Sequence, residues 1–304
     1  MYIDPRTLLS VLTLSTFFLA FFLAFYRVTR KTYPGFRMWV RATVLMAVGG
    51  AFLAARGVIP EPVSVLAGNT AYPAGAVFLL IGTRRFLGLP SPGKTVWAIP
   101  VLTFLGLVFF YWGHPMPAAR GLVMSAGLAW PSLLSAWLMC RHAADENRPL
   151  YWFTAFMLAA ANIALPVRSL LWLLFVPEAG LLSSHFSQTL YLLVAIFAMI
   201  GWTFGFLMMN NERMEAELHQ SQARVARANK DLTKALNEVR QLGKLLPICS
   251  HCKKIRDSQD HWHRLEDYIS NNSETEFSHG ICPECASDLY PELDLYRNSN
   301  GRSA

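Results

Sequence analysis

Two cysteine pairs carry the sharpest chemical signal in the sequence, Cys249-Ser-His-Cys252 and Cys282-Pro-Glu-Cys285. A C-x-x-C pair sets two thiols on one tight turn, and two such turns supply four sulfurs, the donor set of a tetrahedral zinc ion. With every position filled by protein, no place is left for a reactive water, so the zinc is expected to be structural rather than catalytic. The insert between the pairs is 29 residues, longer than the commonest spacing of about 15–20. Within it, Trp262–Ile269 reads as a short helix. A segment this small buries little core, and zinc can supply an apparent ~10–16 kcal/mol to its folding. Lys253, Lys254 and Arg256, beside the first pair, favour the thiolate form. Iron in the same four sulfurs and a redox switch that releases the metal remain open on these residues. A thioredoxin-like motif fits less well, because it uses one pair inside an α/β domain. His251, His261, His263 and His279 receive no ligand role, and Cys140 reads as a small apolar residue.

A second group of residues is costly where it stands. Arg168 lies deep in an apolar run and is followed by Trp172. Asn69, Tyr72, Asn162, Gln188 and Tyr191 interrupt other apolar runs. Ionisable and amide side chains inside a bilayer are expensive and point by default to a binding site. On that reading the six residues line one bundle interior and bind a small ligand, a lipid or a quinone-like molecule. The plainer reading has Arg168 reaching outward or pairing with Glu178 while the amides tie helices together.

The elements that must position these residues follow from composition. Hydrophobic residues make up 53% of the 304 and charged residues only 15%, against about a quarter charged in ordinary soluble chains. A single compact soluble enzyme is excluded by that balance. Seven apolar runs, Leu8–Tyr26, Met38–Ile59, Val63–Ile81, Val96–Trp112, Ala118–Cys140, Tyr151–Val176 and Phe186–Met209, approach the ~20 residues that cross a bilayer. The third is interrupted by Asn69 and Pro73, and the fourth is short. The first lacks the basic leader of a cleavable signal peptide.

The formal charge of +7 divides unevenly: residues 1–209 carry 14 Lys/Arg against 5 Asp/Glu, and residues 210–304 carry 13 against 15. The basic excess belongs to the membrane half. Its cations gather in alternate joints: Arg27, Arg30, Lys31 and Arg37, then Arg84, Arg85 and Lys94, then Arg141 and Arg148. The other joints have Arg56 and Arg120 only at their edges. The positive-inside rule then puts the N-terminus outside and the C-terminus in the cytoplasm, where cysteines stay reduced and serve metals rather than disulfides. An acidic tail argues against a nucleic-acid partner. Protein contact is expected instead, with Trp262, Tyr268, Ile269 and Tyr290 as its anchors.

Gly88-Leu-Pro-Ser-Pro-Gly-Lys-Thr95 matches the P-loop pattern by letter, but that motif needs a preceding strand and a following helix in a soluble αβ unit. Here it joins two apolar runs and reads as a turn. From Phe186 to Leu242 there is no proline, which allows one helix to run from the membrane into the tail, ended by Gly243 and Pro247. Asn211, Leu218, Val225, Leu232, Val239 and Leu246 alternate with Met214, Ser221, Ala228, Ala235 and Leu242 in the 4-3 rhythm of a coiled-coil seam. Asn211 is expected to fix its register in a parallel dimer. Gly201 and Gly205 fit either close approach between two chains or packing within one bundle.

The stretch Leu246-Pro-Ile-Cys-Ser-His-Cys-Lys-Lys-Ile-Arg-Asp257, with Trp262, Glu266-Asp-Tyr-Ile269, Phe277-Ser-His-Gly-Ile-Cys-Pro-Glu-Cys285 and Leu289-Tyr-Pro-Glu292, resembles the cysteine-rich C-terminal module of many bacterial PAS-type sensor proteins. The resemblance implies a metal-dependent output or docking module, with Cys249, Cys252, Cys282 and Cys285 as its metal ligands. The first two hundred residues are similar, more loosely, to the seven-helix input regions of membrane diguanylate cyclases and sensor histidine kinases, a likeness carried by runs such as Arg84-Arg-Phe-Leu-Gly88. No GGDEF-like sequence, phosphoacceptor box or ATP-binding glycine box follows, so no enzymatic output is expected.

The sequence therefore predicts a mainly α protein of the bacterial inner membrane. Residues 1–209 form a seven-helix transmembrane sensor, 210–246 a coiled-coil signalling helix, 247–293 a four-cysteine zinc module, and 294–304 a disordered tail. The expected partners are the bilayer, a second copy through the coiled coil, and a cytoplasmic signalling protein. Two other readings remain: a membrane enzyme or transporter working through Arg168, Asn162 and Gln188, and a membrane-tethered zinc protein that binds nucleic acid.

Overall fold

The structure, a computed structural model, describes residues 4–143, 148–176, 185–242 and 246–293. Glu178, Gly243 and the 294–304 tail lie outside the described residues. The chain divides into two compact units, Met1–Gln220 and Ser221–Ala304.

Among the described residues, seven helices are long and apolar enough to span a membrane. They are α1 (Pro5–Thr29), α2 (Phe36–Ala54), α3 (Glu61–Phe86), α4 (Ala98–Val108), α5 (Pro117–Arg141), α6 (Arg148–Phe175) and α7 (Phe186–Leu242). The fourth span is completed by a 3₁₀ turn at Lys94–Trp97 and a π turn at Phe109–Gly113. Helix α2 packs on α1 and α3, α5 on α3 and α6, and α4 on α3 and α5. Outward-facing Phe18, Phe21, Phe156 and Phe197 are exposed, the pattern of a bundle whose solvent is apolar.

Pro73 does not interrupt the third span. It lies inside α3, and Pro131 and Pro166 lie inside α5 and α6. Proline removes one N–H and leaves the carbonyl four residues earlier without its helical donor. In a membrane bundle, packing against neighbours keeps the helix whole: an added Cβ at Gly127 of α5 would meet Pro73 Cγ at 3.2 Å. The P-loop-like stretch follows helix α3 rather than a strand. Gly88 has φ +72°, and Arg84 Nε donates to the Pro90 carbonyl at 2.7 Å.

Helix α7 runs unbroken through Phe186–Leu242. Its first part docks on the bundle through an aromatic stack, Phe206 against Trp39 with centroids 3.9 Å apart. The two glycines serve this docking. A Cβ at Gly205 would lie 2.1 Å from Thr154 Oγ1, and one at Gly201 would lie 2.7 Å from Met157 Cγ. Asn211 departs from the seam expectation, because its side chain accepts a hydrogen bond from the Tyr26 hydroxyl of the same chain. Further along, Leu218, Val225, Leu232 and Val239 are all more than half exposed.

The second unit contains a two-stranded antiparallel ribbon, β1 (Ile255–Arg256) and β2 (Trp262–His263), with helices α8 (Leu265–Asn272) and α9 (Pro283–Leu289). The helix expected from Trp262 begins three residues later, because Trp262 and His263 pair with Arg256 and Ile255. Ile255 is fully buried and Ala286 nearly so.

Gly205→Leu is expected to destabilise the bundle by about 3 kcal/mol or more, as overpacking does where a neighbour cannot retreat. Thermal unfolding of the full chain in detergent measures it, and Thr154→Gly in the same chain should recover part of the loss. Lack of recovery would place the glycine contact elsewhere than between α6 and α7.

Candidate functional site

Arg168 is buried in the first unit, not turned outward. It is 7% exposed, donates to the Gln188 side-chain oxygen, and lies over the rings of Trp172 and Tyr191 at 4.4 and 4.9 Å. Cation–π contacts of this kind strengthen when desolvated. Trp172 is itself fixed, its indole N–H donating to Ser187 Oγ at 3.0 Å.

Around Arg168 the bundle leaves a cavity of about 100 Å³. Of the six intramembrane residues singled out by sequence, Arg168, Asn69, Tyr72 and Tyr191 line it. Gln188 joins through its bond to Arg168. Asn162 lines a second cavity of about 70 Å³, which Tyr72 and Tyr191 also border. The sequence reading missed Arg56, Arg120 and Ser169, which line the first cavity as well. A signal was present: Arg56 ends the second apolar run, Arg120 begins the fifth, and Arg168 approaches the end of the sixth. In an alternating bundle those places share one end.

The two asparagines share a local device. Asn69 precedes Pro73 by four residues, and Asn162 precedes Pro166 by four. Each proline frees the backbone carbonyl of its asparagine from helical bonding. Each asparagine side chain in turn donates to the carbonyl one turn back, Asn69 to Val65 at 2.8 Å and Asn162 to Leu158 at 2.7 Å. The two devices stand at two levels, Asn69 on the first cavity and Asn162 on the second.

A polar junction joins α7 to the loop between α1 and α2. Asn210 is fully buried and donates to the Tyr26 hydroxyl at 3.1 Å and the Lys31 carbonyl at 3.2 Å. It also accepts from the Tyr33 N–H at 3.2 Å. Glu217 receives Lys31 Nζ and the Tyr33 hydroxyl, both at 2.6 Å. Arg213 donates to the Phe86 carbonyl at 2.8 Å and covers the Tyr33 ring at 4.9 Å. Burial, with the hydrogen bond to Glu217 next, pushes the Tyr33 hydroxyl up to about 12, so it remains a donor.

In the second unit the first cysteine pair lies on a turn and the second at the start of α9. Lys253 takes φ +59°, its N–H donating to the Cys249 carbonyl at 3.0 Å while the Cys249 N–H donates to Lys254 at 2.8 Å. Backbone N–H groups of Cys252 and His251 hold the Cys249 thiol below its ordinary value. Cys282 caps α9, its sulfur accepting the Cys285 N–H at 3.4 Å. That bond lowers Cys282, and the same pairing raises Cys285. All four thiols are free of disulfides.

These donors suit zinc in kind, since each turn aims N–H groups at a sulfur that zinc needs as thiolate. The two pairs are not brought together into one group. Among the described residues, the group of three possible metal donors within 4.8 Å of one another is Asp257, His261 and His263. That cluster organises the turn of the ribbon. Asp257 accepts the N–H groups of Gln259 and His261 at 2.9 Å each, and it pairs with the His263 ring at 2.7 Å. Those bonds, the His261 N–H first, hold the Asp257 carboxyl down to about 2.

Of the expected contact anchors, Trp262 and Tyr290 are about half exposed, whereas Tyr268 and Ile269 are half-buried. The guanidinium of Arg256 lies 6.0 Å from the Trp262 ring.

No protein-family model, curated protein or solved structure matches the chain. The likeness of the cysteine-rich segment therefore rests on its own residues.

If the four cysteines hold zinc, metal analysis of the purified full chain finds a single zinc ion per chain, and Cys285→Ser removes most of it. Chelation should then open residues 246–293 to protease while the helices of the first unit stay protected. A metal-free chain equally resistant in that segment would overturn the assignment.

Proposed function

We propose that the protein is a sensory protein of the bacterial inner membrane, acting as a homodimer. Its seven-helix unit receives a signal within the membrane or from outside, and α7 carries the change to a zinc-stabilised module that docks a cytoplasmic signalling protein. The N-terminus lies outside and the C-terminus inside, as the alternate cationic joints require under the positive-inside rule. Zinc on Cys249, Cys252, Cys282 and Cys285 would hold the module together without taking part in chemistry.

The observation that carries this reading is the polar junction on α7. Asn210, Arg213 and Glu217 bind the loop after α1 and the end of α3, and the same helix continues to Leu242. A change of packing that shifts α1 or α3 therefore acts on α7 through directional bonds. Such bonds switch between partners rather than stretch, as a two-state relay needs. Beyond the junction the helix keeps a heptad of Leu218, Val225, Leu232 and Val239, each more than half exposed, a stripe suited to a second copy. The likeness to the cysteine-rich module of sensor proteins agrees with an output by docking. The exposed faces of Trp262 and Tyr290 suit such contact.

Oxidative crosslinking in membranes tests the dimeric relay. Val225→Cys, on the seam, is expected to give a chain-to-chain crosslink well above that of the wild-type chain, whose own five cysteines set the background. Arg227→Cys, off the seam, should not. Equal crosslinking at both positions, or none at Val225, sinks the proposal.

A further inference from the structure

The cavity around Arg168 has more positive charge than its surroundings answer. Arg56, Arg120 and Arg168 all line it, and among the described residues none of the three forms a salt bridge. Glu61 is the carboxylate whose charge acts on Arg56, where Arg120 acts as a like charge. Three donors are buried without an acceptor: Arg56 Nε, Arg168 Nε and Ser169 Oγ. Ser169 is 1% exposed and Arg168 7%, so solvent does not satisfy them from the surface.

A buried donor left unpaired costs about 1–3 kcal/mol, and more when charged. A guanidinium among apolar helices costs further. Aromatic rings account for part of Arg168, because its guanidinium carbon lies over Trp172 and Tyr191 at 4.4 and 4.9 Å. One terminal nitrogen of its fork donates to Gln188, and its Nε–H is left without an acceptor. Three guanidinium groups, two of them with an orphan Nε–H, match an oxyanion, the acceptor that arginine binds with two parallel bonds. The rest of the wall is apolar, with Leu12, Leu53, Val65, Met124 and Leu165 among the lining residues. At about 100 Å³ the space suits a compact group and excludes a folded chain or a nucleotide.

We infer that this cavity binds an oxyanion carried on a short apolar group: a small organic carboxylate, or the charged end of an anionic lipid. The inference deepens the sensory reading by naming the class of signal. It stands apart in its test, since binding is read without reference to the dimer or to output. Arg168 and Arg120 supply the fork and the second charge, and Ser169 adds a neutral donor. Gln188 holds Arg168 in place and is a positioning residue.

The full chain in phosphatidylcholine nanodiscs provides the test, with thermal unfolding as the readout and hexanoate as the probe. Hexanoate at millimolar concentration is expected to raise the unfolding midpoint, while hexanol and hexylamine do not. Arg120→Gln and Arg168→Gln should each weaken the apparent affinity about ten-fold or more, and Arg37→Gln, an exposed arginine away from the cavity, should leave it unchanged. Because Arg168→Gln can disturb assembly, Arg120→Gln decides where the two differ. Inorganic phosphate as a second probe, and nanodiscs containing phosphatidic acid, separate the sources. Competition between phosphatidic acid and hexanoate supports the lipid form, and hexanoate binding untouched by phosphatidic acid supports the soluble form. An equal shift from hexanol would reduce the cavity to an apolar hole, and absence of any shift from hexanoate, phosphate and phosphatidic acid would overturn the inference. Val225→Cys crosslinking is independent of these outcomes, so a failed binding site leaves the relay standing and a failed relay leaves the site.

Discussion

Asn210 sets the terms for the first unit. A fully buried amide in α7 has to find partners for its polar atoms, because an unmet one is costly in a low-dielectric interior. It finds them on Tyr26, Lys31 and Tyr33, all from the end of α1 and the loop that follows it. That requirement fixes the rotation of α7, and the stack of Phe206 on Trp39 one turn earlier can form only in that rotation. The glycines at 201 and 205 then face α6, where nothing larger would fit. Dispersion and aromatic stacking supply most of the contact, but the directional bonds choose among the rotations that would pack almost equally well.

The other end of the bundle follows the opposite economy. At the junction every buried polar atom of Asn210 is met within the chain, whereas around Arg168 donors are left open. A membrane protein can satisfy such groups by packing helices more closely or by admitting something from outside. Here Pro73 and Pro166 stand four residues after Asn69 and Asn162, withholding a helical N–H at the level of the cavities. Polar side chains and cations thus meet around the first cavity, with Asn69, Tyr72, Arg56, Arg120, Arg168 and Ser169 all on its wall. Arginines at the edge of the apolar runs gain from the same place, since their apolar stems pack while their heads share one space.

Much of this could be read from sequence because each signal was local. Apolar runs of the right length predicted seven helices, and the absence of proline from Phe186 to Leu242 predicted one continuous α7. Pro73 was misleading for a physical reason: the rule that proline ends a helix assumes a helix standing in water, and α3 is held on both sides by α2 and α5. The cavity was half legible. Arg168, Asn69, Tyr72 and Tyr191 are conspicuous because polar residues are rare in such runs, but Arg56 and Arg120 look like ordinary loop-edge cations until the helices are assembled. The bond between Asn211 and Tyr26 was not legible, because a heptad pattern records spacing and carries no record of a tyrosine 185 residues away. Trp262 and His263 likewise read as helix from composition, while strand pairing with Ile255 and Arg256 is a non-local gain.

The cysteine-rich segment shows where local physics stops. Each knuckle is complete by itself, with amide N–H groups turned to Cys249 and Cys282. Bringing the two pairs together is a different matter, because four thiols have little attraction for one another and four thiolates repel. The buried side chains available to pull them in are few, chiefly Ile255 and Ala286. A divalent cation reverses that balance by turning mutual repulsion into four bonds to one centre. The ribbon turn held by Asp257 would then serve as the rigid spacer between the pairs, since its bonds to Gln259, His261 and His263 need no metal to form.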